Sequence, residues 1–172
     1  MLEQELVAEA ETLLLELRRA GLRLATAESC TGGLIAAVLT EVAGASDVLE
    51  RGFVTYSNAA KTGMLGVDPG LVEREGAVSA AVARAMCEGA LSHSQADVAV
   101  AVTGVAGPGG GTDRKPVGLV HLAAGPRGGA LLSSECRLGG IGRHGIRVAA
   151  VREAFRLIRA AALRPGPSPS RD

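Results

Sequence analysis

Asp97-Val-Ala-Val-Ala-Val-Thr103 runs directly into Gly104-Val-Ala-Gly-Pro-Gly-Gly-Gly111, and the reading of this junction decides the fold. An unbroken run of valine and alanine, with no polar alternation, is the pattern of a strand covered on both faces. Such a strand needs helices on either side of its sheet. Glycines at 104, 107, 109, 110 and 111 are more than a turn requires. Successive glycine amides make a nest for phosphate or carboxylate, so ligand contact is the favoured reading of Gly104, Gly107, Gly109 and Gly110, with a flexible turn as the alternative. The spacing matches neither the GK[ST] ending of a P-loop nor the GxGxxG dinucleotide pattern, which disfavours ATP and a bound NAD cofactor.

Upstream of this junction, apolar positions at Leu2, Leu6, Val7, Ala10, Leu13, Leu14 and Leu17 have helical spacing, and Gly21 stops that helix as a C′ glycine. Leu22–Ala27 reads as a strand, Leu34–Val42 as a helix, Arg51–Tyr56 as a strand, and Asn58–Met64 as a short helix. Asp68-Pro-Gly reads as a turn. Ser79 caps a helix reaching Leu91. Downstream, Val117–Ala124 and Ala130–Arg137 form two strands around Gly125–Gly129. A last helix covers Arg143–Leu163 with Ile146, Ala150, Phe155 and Ile158 facing inward. Alternating helices and strands predict a three-layer α/β/α sandwich with a mostly parallel or mixed sheet. Residues 1–164 are expected to be one domain. The tail 165–172, rich in Pro and Ser, is expected to be disordered.

Composition excludes several classes. The chain has 172 residues, 47% of them hydrophobic, with a mean hydropathy of +0.25, which supports a buried core. Eighteen basic residues balance eighteen acidic ones, so there is no electrostatic footprint for nucleic acid or an anionic membrane. Aromatics are 2% of the chain, too few for base stacking. Cys30, Cys87 and Cys136 are far apart without CxxC spacing, which argues for a reducing compartment and no structural zinc. No signal peptide is read at the N-terminus and no apolar run reaches the ~18 residues of a membrane span. A cytoplasmic protein is expected.

Four segments carry candidate chemistry. Thr26-Ala-Glu-Ser-Cys-Thr-Gly-Gly33 lies between a strand and a helix, where open α/β sheets bind ligands. Ser29, Cys30 and Thr31 are each possible nucleophiles there. Gly32 and Gly33 permit close backbone approach, and the helix N-terminus offers N–H groups for an oxyanion; from the pattern alone an ordinary N-cap by Ser or Thr is the favoured reading of this segment. Thr55-Tyr-Ser-Asn-Ala-Ala-Lys61 ends the next strand. Tyr56 is the single tyrosine, and Lys61 is one of only two lysines beside sixteen arginines. A position that stays lysine under such an arginine bias is a candidate for needing an amine that can lose its proton. Buried and neutral, Lys61 can accept the proton of a serine, with Tyr56 as relay or orienting group; a surface lysine is the alternative. The third segment is Thr103 with its glycine loop. The fourth is Arg143 and Arg147, on one helix face, able to clamp a phosphate or simply to be solvated. His93, His121 and His144 are scattered and are assigned to no metal or triad.

ESCTGG (28–33), RGFVTYSNAAK (51–61), LGV (65–67), GAVS (76–79), TGVAGPGGG (103–111) and KPVG (115–118), in this order, resemble the CinA C-terminal domains, including the stand-alone nicotinamide-nucleotide amidases. The resemblance spans about residue 5 to 163 and implies the single-domain form. It implies hydrolysis of the carboxamide of nicotinamide mononucleotide to nicotinate mononucleotide and ammonia, in pyridine-nucleotide recycling. It also implies a homodimer, no cofactor and no metal. By resemblance the nucleophile falls on Ser29, its partners on Lys61 and Tyr56, and the substrate-binding positions on Thr103 and the glycine loop. Arg143 and Arg147 fall where the family carries R-x-x-x-R. An acidic residue expected before them is replaced by Gly139-Gly-Ile-Gly, which leaves open which arginine meets the phosphate. Amide N–H groups of Cys30, Thr31, Gly32 and Gly33 are the expected oxyanion hole. A catalytically silent nucleotide-binding or regulatory module is the alternative function.

Overall fold

The structure, a computed structural model, describes residues 3–163; Leu2 and the tail 165–172 lie outside the described residues. Five strands, β1 (Leu24–Glu28), β2 (Leu49–Val54), β3 (Val98–Gly104), β4 (Leu119–Pro126) and β5 (Leu132–Arg137), form one sheet in the order β2-β1-β3-β4-β5. β1 pairs in parallel with β2 and β3, while β4 and β5 are antiparallel additions. The sheet is mixed, as the α/β/α reading allowed.

Helices α1 (Gln4–Arg19), α2 (Leu34–Thr40) and α6 (Gly142–Ala162) pack on one face, and α3 (Asn58–Leu65), α4 (Pro69–Glu75) and α5 (Ala80–Ser92) on the other. The pleat separates two cores. Leu24, Val98, Val100, Val102, Val120 and Leu122 meet the leucines of α1 and Phe155 of α6. Ala25, Ala27, Ala99, Ala101 and Ala123 form the other face, beneath Val82, Ala83 and Met86 of α5. Alanines on that face let α5 come close to the sheet.

This topology decides where loops meet. β1, β2 and β3 run in one direction, so their carboxyl ends share one edge of the sheet. β5, antiparallel to β4, also ends there and delivers the start of α6 to the same edge. The chain leaves β1 for β2 on one side and reaches β3 on the other, which makes this edge a switch point of the kind where open sheets hold ligands.

Local signals explain most boundaries. Gly21 takes φ +68° just past α1, and its N–H reaches Arg18 O at 3.0 Å. Ser79 Oγ accepts from Val82 N at 3.2 Å, capping α5 as expected. Three expectations are corrected. Asp68-Pro-Gly is no isolated turn: Asp68 caps α4, accepting from Gly70 N at 3.0 Å and Leu71 N at 3.1 Å, with Pro69 opening the helix. β2 starts at Leu49, earlier than Arg51, and stops before Thr55. β4 starts at Leu119, because Gly118 turns the chain with φ +93°.

Gly89 of α5 is where α5 touches α3. A Cβ there would overlap the carbonyl oxygen of Leu65, a backbone atom that cannot rotate away. Gly89→Ala is expected to destabilise the protein by about 1–3 kcal/mol through overpacking, seen as a lower thermal midpoint. Gly63→Ala on the open face of α3, with nothing within 4 Å of its Cβ position, is the control.

Candidate functional site

The three loops at the carboxyl edge meet around Ser29. Its N–H is held by Val102 O of β3 at 3.0 Å, so the serine stays anchored to the sheet as the chain leaves β1. Gly32 (φ +60°) and Gly33 (φ +92°) then adopt left-handed backbone, which side-chain-bearing residues avoid. The chain turns sharply and starts α2.

Lys61 of α3 points inward and is 1% exposed. Its Nζ lies 3.0 Å from Ser29 Oγ and 3.0 Å from the carbonyl oxygen of Thr55. Burial lowers the pKa of the amine from 10.5, because an ammonium loses its hydration there. No carboxylate forms a hydrogen bond or ion pair with it among the described residues. As a neutral amine it donates one N–H to Thr55 O and offers its lone pair to the hydroxyl of Ser29. As an ammonium it donates to Ser29 Oγ instead. The pair can move one proton between oxygen and nitrogen without rearranging.

The neighbouring candidate nucleophiles form no hydrogen bond with Lys61 among the described residues. Burial pushes the Cys30 thiol up to about 11, and the Glu28 carboxylate adds to the shift. Thr31 Oγ1 is buried without a hydrogen-bond partner among the described residues. A thiol held protonated is a poor nucleophile, and of these three side chains Ser29 alone is hydrogen-bonded to Lys61 among the described residues.

The expected N-cap at Ser29 or Thr31 is corrected. The N-cap position of α2 is Gly33, which has no side chain to cap with. Glu28, the last residue of β1, performs the capping: its carboxylate accepts from Ile35 N and Ala36 N, both at 2.9 Å, and from Thr26 Oγ1 at 3.3 Å. Those two amides are therefore not available to a ligand. The expected oxyanion set also shrinks, because Gly32 N–H donates to Ser29 O at 2.9 Å. The amides of Cys30, Thr31 and Gly33 have no backbone acceptor among the described residues.

Tyr56 lies at the rim, 59% exposed. Its hydroxyl accepts from Arg143 Nη2 at 3.0 Å and has no hydrogen bond to Lys61, so it does not hold the amine directly. Arg143 Nη1 also donates to Gly107 O at 2.6 Å, which straps the glycine loop to the tyrosine. Arg147 Nη2 donates to Thr31 O at 2.7 Å, while its buried Nε has no hydrogen-bond partner among the described residues. A Cβ on Gly32 would lie 3.9 Å from both the Tyr56 ring and Arg147 Nη2. Both arginines thus reach the site, one over the mouth and one against the Ser29 turn.

Thr103 and part of the glycine loop have another physical reason. Thr103 is buried and its hydroxyl donates to Ala77 O at 2.8 Å. A Cβ on Gly104 would come within 2.8 Å of Leu119 O, and one on Gly107 within 2.5 Å of Val117 Cγ1. These two glycines are small because the 117–120 segment packs on them. A Cβ on Gly109 would meet nothing within 4 Å and one on Gly110 only Val105 Cγ1 at 4.0 Å, so these two exposed glycines carry no such packing constraint.

The residues that sequence reasoning missed are Thr55 and Glu28. Thr55 acts through its carbonyl, for which no residue type gives a signal. Glu28 is visible as the acid before Ser29, but its reach to α2 depends on the turn. An apolar groove of about 630 Å³ between α3 and α4 is lined by Asn58, Ala59, Thr62, Pro69 and Val72 among others, and Lys61 is not part of its lining. Among the described residues no group of three or more His, Cys, Asp or Glu side chains could hold a metal ion, and no helix is long and apolar enough to cross a membrane.

A mixed α/β/α sandwich with a buried lysine–serine pair at its switch point is the class that fold and site define. Residues 7–162 match the model of the CinA C-terminal domain, and the chain belongs to that family. It is 55% identical over 142 residues to a CinA-like protein of Mycolicibacterium vanbaalenii, covering 83% of this chain and 33% of that protein. A CinA-like protein of a Synechococcus is 53% identical over 152 residues, covering 87% of this chain and 36% of that protein. The chain thus spans about a third of the length of these curated relatives. Among solved structures, a competence/damage inducible protein of Agrobacterium tumefaciens superposes with a TM-score of 0.90 at 51% identity, covering 93% of this chain and 97% of that one. A CinA superfamily protein of Escherichia coli superposes at 0.84 with 34% identity, covering 92% of each chain.

Proposed function

We propose that the protein hydrolyses the carboxamide of nicotinamide mononucleotide to nicotinate mononucleotide and ammonia, with Ser29 as nucleophile and Lys61 as base. The observation that carries this reading is the 3.0 Å contact between Lys61 Nζ and Ser29 Oγ, made by an amine whose burial favours its neutral form. A catalytically silent module has no use for a buried, uncompensated lysine aimed at a serine, because burying that amine is unfavourable in itself.

In this mechanism Ser29 Oγ attacks the carboxamide carbon and its proton passes to Lys61 Nζ. The tetrahedral oxyanion lies near the free amides of Cys30, Thr31 and Gly33; a single such donor is typically worth ~3–4 kcal/mol of barrier. Lys61 returns the proton to the leaving nitrogen, ammonia departs, and Ser29 holds the acyl group as an ester. Lys61, neutral again, activates a water that releases the carboxylate. Thr55 O keeps the amine in place through both halves. The 5′-phosphate is assigned to Gly109, Gly110 and Arg143 at the mouth, with Arg147 completing the positive wall. Binding energy from that distant phosphate then orients the reacting amide. A homodimer in the cytoplasm belongs to the same proposal.

The test is chromatographic product analysis with nicotinamide mononucleotide, its riboside and free nicotinamide, without added metal. The expected result is stoichiometric ammonia and nicotinate mononucleotide from the nucleotide, and much slower turnover of the two compounds lacking the phosphate. Tight binding of the nucleotide with no product would sink the hydrolytic reading.

A further inference from the structure

We infer that Glu28 is a positioning residue that sets the Ser29–Lys61 pair in register, an inference that rests on the hydrolytic reading above. Glu28 is 1% exposed and no cation forms an ion pair with it among the described residues. Three donors converge on its carboxylate, the N–H groups of Ile35 and Ala36 and the hydroxyl of Thr26. An ionised carboxylate, which only accepts, satisfies all three.

The consequence lies in what these bonds enclose. Residues 29–34 form a loop whose two ends are tied together by the side chain of Glu28: one end is its own Cα, the other the first turn of α2. The nucleophile and the three candidate oxyanion amides all belong to that loop. Two glycines in left-handed backbone supply no capping group of their own, so the tie must come from the strand.

The backbone of the same residue reaches the base. Glu28 O accepts from Thr55 N at 2.8 Å, and Thr55 O accepts from Lys61 Nζ at 3.0 Å. One residue thus fixes the serine turn with its carboxylate and the lysine's anchor with its carbonyl. Any shift of Glu28 moves hydroxyl and amine relative to each other. Displacements of about 1 Å at a reacting pair are enough to lose 10²-fold in rate.

Glu28→Gln tests this. Glutamine keeps size and one accepting oxygen but turns an NH₂ toward one of the α2 amides, so the tie is broken on one side. Two readouts apply: steady-state hydrolysis of nicotinamide mononucleotide, and the rate at which a fluorophosphonate phosphonylates Ser29 with loss of fluoride, followed by intact mass. The second does not depend on which amide is the natural substrate. A positioning role predicts that kcat and the labelling rate both fall at least tenfold, with KM within about threefold of wild type. A purely structural role predicts a lower melting temperature with wild-type kcat and labelling per folded molecule, and that result overturns the inference. Wild-type protein that neither takes the label nor differs from Ser29→Ala in either assay shows that the Ser29–Lys61 reading itself has failed, and the inference with it. If Glu28→Gln does not fold, Thr26→Val replaces it: the isosteric valine suits β1 and removes only the third donor. It is expected to lower kcat and labelling two- to fivefold, and wild-type values for both would overturn the inference.

Discussion

Lys61→Met is expected to abolish amide turnover while making the protein more stable. Methionine fills nearly the same buried volume as the lysine stem, so no cavity opens. What is lost is the proton acceptor 3.0 Å from Ser29 Oγ. Removing a positioned base typically costs 10²–10⁴ in rate, and in the proposed mechanism the same amine also protonates the leaving nitrogen, so a loss of about 10³-fold or more is expected in kcat. Stability moves the other way because an amine buried without a carboxylate partner opposes folding. The size of the gain depends on pH. The folded-state pKa of Lys61 lies below its ordinary 10.5, so between those two values the unfolded chain binds more protons than the folded one. Stability of the wild type therefore rises with pH across that window, and below it the full penalty of burying the amine applies. Lys61→Met removes this slope, so its advantage is largest below the depressed pKa of Lys61 and shrinks toward pH 10. About 1 kcal/mol corresponds to roughly 2–4 °C in a protein of this size. Melting curves of both proteins at a series of pH values check the stability claim. The pH–rate profile of the wild type checks the other half: activity rises as pH climbs through the depressed pKa of Lys61. A mutant melting below the wild type at neutral pH would count against an uncompensated buried amine.

Ser29→Ala is expected to lose turnover by about 10³-fold or more, with no accumulation of acyl-enzyme by intact mass. Direct attack by water would have to proceed without a positioned nucleophile, leaving only binding and the oxyanion amides. Groups that act as a unit are not additive, so Ser29→Ala combined with Lys61→Met should be hardly slower than either alone. Cys30→Ala is the decisive comparison. Its thiol is held protonated by burial, so near-normal kcat is expected. Loss of activity in Cys30→Ala with retention in Ser29→Ala would transfer the nucleophile to the sulfur.

The architecture was legible where one residue type has one reason to be there. Val98–Val102 could only be a strand covered on both faces, and Gly21 and Ser79 stop and start their helices as their chemistry requires. The two residues that meet at the candidate site stand out in the sequence too, a lysine among arginines and a serine shortly before two glycines. Their contact was not readable from spacing: they are 32 residues apart and meet because β1 and β2 are parallel neighbours. Asp68-Pro-Gly was misread because the same residues that make a turn also cap and open a helix. Gly104 and Gly107 were credited to a ligand although packing against 117–120 already requires them. Thr55 left no trace because its carbonyl, common to every residue, does the holding. The capping role of Glu28 depends on the left-handed turn at Gly32 and Gly33 that brings α2 back onto its carboxylate.

The two faces of the sheet differ in how a distant change reaches the Ser29–Lys61 contact. On the side of α1 and α6 the layer is built from long aliphatic side chains and Phe155, which can re-pack around a substitution. On the side of α5 the sheet contributes alanines, and a methyl group has no rotamer to yield. An enlarged residue there moves a helix as a rigid body, and α3, which carries Lys61, rests on α5 at Gly89. Substitutions that pull Lys61 away from Ser29 without unfolding the protein should therefore gather on the alanine side, some well away from the serine, while the leucine side should yield mainly losses of stability.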